Sequence, residues 1–140
     1  MIMPWYSPKP VICLFAITLV ASCDPRAGVE QVDLVPERAP GSQGANGFCK
    51  RDDLGLYVMV RNQSNIDALQ STITRVTFGN TSQDLSTPPI AAGSMATVGP
   101  YPIPSGCFNA DCDFTIHVNQ TRLLIDEFGD NNSADGICIG

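Results

Sequence analysis

The residues of this 140-residue chain with the widest choice of chemistry are its six cysteines. They are Cys13, Cys23, Cys49, Cys107, Cys112 and Cys138. A cysteine sulfur can bind a metal, form a disulfide or carry a thioether-linked group. Zinc sites favour paired two-residue spacings, which the last four cysteines do not show, so disulfides are favoured over a metal site.

The last four cysteines, Cys49, Cys107, Cys112 and Cys138, can pair with one another in three ways. Cys107 and Cys112 lie five residues apart in the sequence, and Gly106 and Asn109 beside them are residues that favour turns. A bridge across such a turn is geometrically easy, and it leaves Cys49 to pair with Cys138. The sequence therefore predicts the pairs Cys107–Cys112 and Cys49–Cys138.

An apolar stretch, Val11–Ala21, follows the single charge of Lys9 near the start of the chain. It is too short to span a bilayer and is typical of a signal peptide. The next residues, Val20-Ala21-Ser22-Cys23, resemble the processing box of bacterial lipoproteins. The resemblance implies that residues 1–22 are a signal peptide, cut before Cys23, and that acyl chains on Cys23 anchor the protein. The alternative is an ordinary secretory signal, with Cys23 left to form a disulfide.

Residues 23–32 are expected to form a tether, and the following segments alternate with the period of strands. Leu56, Val58 and Val60 are apolar every second residue, Ser71–Phe78 is rich in β-branched residues, and Phe114–Val118 alternates again. The proline-rich stretch 99–104 cannot be a central strand. With no sustained helical period, the pattern predicts an all-β sandwich.

Three ordered motifs give a resemblance to a known family. They are Val60-Arg61-Asn62-Gln63-x-Asn65, Ser71-Thr72-x-Thr74-Arg75-Val76-x-Phe78 and Ile125-Asp126-Glu127-x-x-Asp130-Asn131-Asn132. Over residues 33–140 the chain is similar to the CARDB domain, the cell-adhesion-related domain found in bacteria. This resemblance implies an immunoglobulin-like, seven-stranded antiparallel β-sandwich that acts as an extracellular binding or spacer module.

The acidic segment near the end of the chain offers oxygen ligands for calcium, the only cofactor for which the sequence makes a case. Its candidate ligands are Asp126, Glu127, Asp130 and Asn132. Their spacing does not follow the twelve-residue EF-hand pattern. The favoured interpretation is a turn between strands in which the polar side chains bond to nearby backbone.

An enzyme is not expected. The single histidine, His117, alternates with the apolar Ile116 and Val118 and so faces solvent, and no motif supplies a nucleophile for it. The charged run at residues 50–53 reads as a solvated edge. The segment Tyr101–Phe108 could form a recognition surface or cap the end of the sandwich, and the sequence leaves both open.

The chain has 14 acidic and 8 basic residues, a formal charge of −6, which disfavours nucleic acid as a partner.

With the processing box before Cys23, the sequence predicts a lipoprotein of the bacterial cell envelope, held at the membrane and facing the periplasm or the exterior. It would be a non-catalytic adhesion or binding module for a protein or glycan. The alternative is a structural subunit that docks on an envelope complex by strand-edge addition.

Overall fold

A computed structural model describes residues 31–120 and 129–140 of the chain. The predicted signal peptide, Cys23 and most of the predicted tether lie outside the described residues, as do residues 121–128. The described residues contain no α-helix, which confirms the all-β class, and no helix long and apolar enough to cross a membrane. The strands are β1 Leu34–Glu37, β2 Lys50–Asp52, β3 Gly55–Asn62, β4 Thr72–Phe78, β5 Thr81–Thr87, β6 Met95–Tyr101, β7 Cys112–His117 and β8 Ser133–Cys138, and a 3-10 turn, Gly129–Asn131, precedes β8.

The strands form two antiparallel sheets, which confirms the predicted β-sandwich. The second sheet has the order β5-β4-β7-β8. In the first sheet β3 is central and pairs with β6 on one side. On its other side β3 pairs with β1 through residues 59–62 and with β2 through residues 55–57, so β1 and β2 form one interrupted strand. The eight strands therefore occupy seven strand positions.

The core lies between the sheets and is built from the alternating residues that the sequence indicated. Leu56, Val58 and Val60 on β3 are at most 1% exposed. From the second sheet, Phe114 packs against Phe78 with ring centroids 5.9 Å apart. Burying these apolar side chains supplies the main driving force for bringing the sheets together.

Strand β5 is absent from the sequence prediction because its residues are mostly polar. Only Thr87 in this strand is buried, and Gln83 and Leu85 are partly buried between exposed neighbours.

The expectation that the proline-rich stretch is not a central strand holds for β6. This strand contains Pro100, but it pairs with β3 alone and is therefore an edge strand. For both β5 and β6, the place of the strand in its sheet follows from its pairing partner more than from its amino-acid composition.

The loop of residues 38–49 leaves the first sheet between β1 and β2 and covers the edge of β8. The Asn46 side chain donates to the Asp135 carbonyl (2.6 Å) and accepts from the Ile137 N–H (3.3 Å). Gly44 lies so close that a Cβ atom there would overlap the Ile137 carbonyl oxygen. The Asn46 amide thus takes the place of a neighbouring strand at this edge.

A buried asparagine organises the end of the sandwich where β3 terminates. The Asn62 side chain is fully buried and donates to the carbonyls of Ile66 (2.7 Å) and Ile90 (3.0 Å). Its Oδ1 accepts from the Ser64 hydroxyl (2.6 Å). Because these bonds join two loops to one strand end, Asn62 fixes both connections.

Tyr101 links the sheets by a polar contact in the core. It is completely buried, and its hydroxyl on β6 donates to the Thr74 carbonyl on β4 (2.8 Å). Burial, reinforced by the charge of Asp84, raises the pKa of Tyr101 above its ordinary value. The fold therefore stabilises the neutral phenol.

Replacing Tyr101 by Phe should lower the free energy of unfolding at neutral pH by about 1 kcal/mol, the usual net value of such a hydrogen bond. The unfolded chain releases the phenol proton near its ordinary pKa of 10.0, before the folded chain does. The neutral Tyr101 phenol therefore contributes fully to the free energy of unfolding below pH 10, and this contribution is lost as the pH rises above that value. Urea unfolding between pH 7 and 11 should show a steep alkaline loss in the parent and a shallower one in Tyr101→Phe.

Tyr57→Phe is the control, since its hydroxyl donates to Asp52 (3.0 Å) at the exposed surface. This variant should retain most of the alkaline loss. Equal behaviour of the two variants would contradict the assignment of that loss to Tyr101.

Candidate functional site

The structure confirms both predicted disulfides. Cys49 bonds to Cys138 across 89 residues with Cα atoms 5.2 Å apart, and Cys107 bonds to Cys112 with Cα atoms 4.9 Å apart. Both separations are ordinary for disulfides. The long bridge joins the residue before β2 to the last residue of β8, so it links the two sheets.

The two bridges are neighbours in the second sheet. Cys112 and Cys138 are directly opposed partners on β7 and β8, and both are fully buried, as is Cys49. Only Cys107 is partly exposed. The four sulfur atoms therefore form one group at the end of the sandwich, with a single accessible position.

The segment Tyr101–Phe108, for which the sequence left a recognition surface and a cap both open, packs against this end of the sandwich. Tyr101 is buried, and Ile103, Cys107 and Phe108 pack partly buried against the core. The Arg51 guanidinium lies 4.8 Å from the centre of the Phe108 ring and donates to the Ile139 carbonyl (3.3 Å). A cation over an aromatic face is attracted to it. The charged run, expected as a solvated edge, is the short edge strand β2 and helps to hold this cap.

The candidate calcium ligands are only partly described. Asp126 and Glu127 lie outside the described residues, Asp130 is exposed and Asn132 is buried. Within residues 31–120 and 129–140, no three His, Cys, Asp or Glu side chains are grouped so that they could hold a metal ion. Calcium binding by this turn stays a prediction.

The described part of the turn is tied to the first strand through a buried carboxylate. Asp33, which is 4% exposed, accepts hydrogen bonds from Asn131 (3.0 Å) and from Gln63 (2.7 Å). The backbone of Asn132 accepts from Val118 (2.8 Å). These contacts give the polar residues a structural role at the end of the sandwich where the chain enters β1.

Among the described residues His117 has one side-chain partner, which the sequence did not indicate. Its Nδ1 lies 2.7 Å from the Ser133 hydroxyl on the opposing strand β8. An activated serine also needs a third group that orients the histidine. In the described part of the chain no carboxylate bonds to His117. The pair is consistent with a cross-strand contact on the sheet surface.

A groove of about 470 Å³ runs along the outer face of the second sheet, between the loop of residues 38–49 and the β4–β5 turn. Its polar lining is supplied by Asn46, Thr77, Asp113, Thr115 and Asp135. The Thr115 hydroxyl donates to the Asp135 carboxylate (3.0 Å), which fixes one wall. Carboxylate, amide and hydroxyl oxygens facing one space can accept hydrogen bonds from hydroxyl or ammonium groups.

The groove was not predicted, although a signal for it exists in the sequence. Asp113 and Thr115 alternate with the buried Phe114 and Ile116, so they must share the outer face of β7. What sequence alone does not show is that β4 and β8 lie on either side and that Asn46 closes the groove. Those neighbours come from pairing between distant segments.

Comparison with protein-family models and with curated proteins finds no match to this chain.

The two disulfides should differ in their contribution to stability. In the chain-entropy treatment a loop of this length contributes about 4–5 kcal/mol for Cys49–Cys138, against about 2 kcal/mol for the short Cys107–Cys112 loop. The paired variants Cys49→Ala/Cys138→Ala and Cys107→Ala/Cys112→Ala each remove two sulfur atoms and serve as mutual controls. Denaturant unfolding should show the larger loss for the first pair. Equal losses would contradict the role of Cys49–Cys138 as the tie between sheets.

Proposed function

We propose that this protein is a bacterial lipoprotein, anchored to a membrane of the cell envelope through Cys23, that serves as a non-catalytic adhesion or binding module. The observation that carries the proposal is the pair of disulfides, because such bonds persist in oxidising compartments outside the cytoplasm. The signal-like start of the sequence and the processing box before Cys23 support the same location. The β-sandwich agrees with the resemblance to CARDB domains.

The position of β1 indicates how the anchored domain would be oriented. Leu34 at the start of β1 pairs with Asn62 at the end of β3, beside the connections at residues 63–71 and 88–94. The ten residues from Asp24 to Asp33 can span at most roughly 35 Å. This end of the sandwich would face the bilayer, and the end capped by Cys107–Cys112 would point away from it.

The outer-face groove is the surface that we assign to binding. It lies along the side of the sandwich, so an anchored domain would keep it accessible. Asp113 and Asp135 give it an acidic lining without a positively charged residue among its described lining residues. A partner with hydroxyl or ammonium groups, such as a glycan or a basic protein segment, fits this chemistry.

The alternative, a structural subunit that docks on a different protein of an envelope complex by strand addition, predicts a sheet edge that lacks charge and a contiguous apolar patch. The large hydrophobic side chains exposed in the described residues are Leu54, Leu69, Met95 and Ile139. Only Met95 lies in an edge strand, at the start of β6, and none of them belongs to β5, the open edge of the second sheet. The described surface therefore favours the binding module.

Cys23→Ala should move the protein from the membrane fraction to the soluble fraction, because it removes the sulfur that would carry the lipid. Cys13→Ala is the matched control, since this cysteine lies within the predicted signal peptide and its loss should leave the protein membrane-bound. Fractionation of cells that express each full-length variant, with labelled fatty acid, provides the measurement. Retention of Cys23→Ala at the membrane would refute the lipid anchor.

A further inference from the structure

Among the strands that the structure describes, β5 is the longest edge without a proline or a covering side chain. Exposed strand edges present unpaired backbone groups to other chains, and proteins normally shorten, charge, interrupt or cover them. Here β1 is four residues long and contains Pro36, β2 is three charged residues, β6 contains Pro100, and β8 is covered by Asn46. Strand β5 has seven residues and contains no proline.

The geometry of the β4–β5 hairpin identifies which backbone groups of β5 are open. A two-residue loop, Gly79-Asn80, joins Phe78 to its partner Thr81, with Gly79 at φ +54°. In such a turn the carbonyl before the loop accepts from the N–H after it, so Phe78 and Thr81 form a hydrogen-bonded pair.

Bonded and non-bonded pairs alternate along an antiparallel ladder. The pairs Val76–Gln83 and Thr74–Leu85 are therefore bonded as well, and the N–H and C=O groups of Ser82, Asp84 and Ser86 point away from β4. None of these six groups makes another backbone hydrogen bond in the part of the chain that the structure describes.

The sequence of this open edge is nearly the same in both directions: Thr81-Ser82-Gln83-Asp84-Leu85-Ser86-Thr87. We propose that β5 pairs with β5 of a second copy of this chain, antiparallel and centred on Asp84. A two-fold interface uses the same surface on both subunits, which a nearly palindromic strand satisfies directly. In this register Ser82 lies opposite Ser86 of the second copy, and all six open groups on each strand are bonded.

The centred register brings two Asp84 carboxylates to facing positions, and like charges there are normally destabilising. Arg75 removes much of this repulsion. Its guanidinium donates two hydrogen bonds to Asp84, of 2.7 and 2.8 Å, and the pair holds the pKa of Asp84 below its ordinary value. Across the interface the four charged side chains are Arg75 and Asp84 of one copy, then Asp84 and Arg75 of the second copy. Their net charge is zero.

The chemistry of the edge favours a second copy over an apolar strand from another protein. The outward side chains are Ser82, whose hydroxyl lies 2.9 Å from that of Thr77, Ser86 and the paired carboxylate of Asp84. Leu85 is partly buried toward the core. Hydroxyl groups facing each other across strands stabilise a pair by hydrogen bonding. This pairing does not depend on the lipid anchor and can be tested apart from it.

A register-specific cross-link tests the proposal. Directly opposed residues of a bonded pair have Cα atoms about 5.5 Å apart, inside the range that disulfides bridge. Full-length Ser82→Cys and Ser86→Cys chains with different tags are co-expressed and exported, and non-reducing gels are probed for both tags. We expect a linked dimer with both tags from the mixture and little from either variant alone, because the Cα atoms of like positions are about 14 Å apart in this register.

Equal linkage in the single variants would overturn the register, and a link to a different protein would overturn the second copy as partner. No link in the mixture would overturn the pairing itself. A second measurement uses co-purification of two tagged full-length chains in mild detergent. Ser86→Pro removes an outward N–H and should abolish co-purification, whereas Ser86→Ala keeps that N–H and should retain it. Co-purification by a folded Ser86→Pro chain would refute the pairing.

Discussion

The disulfide between Cys49 and Cys138 is the constraint on which the rest of the described structure depends. It ties the residue before β2 to the last residue of β8, so the two sheets cannot separate at this corner without breaking a covalent bond. It also holds the end of the loop that covers β8. The fit of Asn46 against the β8 backbone is thus maintained by a bond only three residues away along the chain.

The interruption between β1 and β2 gives the domain both its protected edge and its groove. A continuous strand there would pair with β3 alone and leave β8 open, whereas the loop of residues 38–49 crosses to the second sheet. Asn46 then forms a wall beside the outward residues Asp113, Thr115 and Asp135. With the other edges shortened, proline-bearing or covered, contact with another strand is directed to β5. The loop of residues 38–49 thus places the side-chain groove beside β8 and leaves the open backbone edge at β5.

Alternating apolar residues made the central strands predictable, because burial on one face leaves a period of two in the sequence. The disulfide partners were also predictable. Cys107 and Cys112 lie close enough in the sequence to bridge a turn, which leaves Cys49 and Cys138 as the other pair. Strand β5 was not, because its polar residues depend on β4 for their place. Gly136 shows the same limit: it makes room for the Phe114 ring opposite it, and only the register of β7 and β8 reveals that need. The groove depends on the same long-range pairings.

Peptide mapping of the exported, non-reduced protein tests the central constraint most directly. Trypsin cleaves after Lys and Arg and divides the four cysteines among peptides 39–50, 76–122 and 123–140. With the pairs Cys49–Cys138 and Cys107–Cys112, peptide 39–50 is joined to 123–140, and 76–122 carries its bridge internally. Either other connectivity would join all three peptides into one species, and that species, or free thiol at Cys49 and Cys138, would contradict the account.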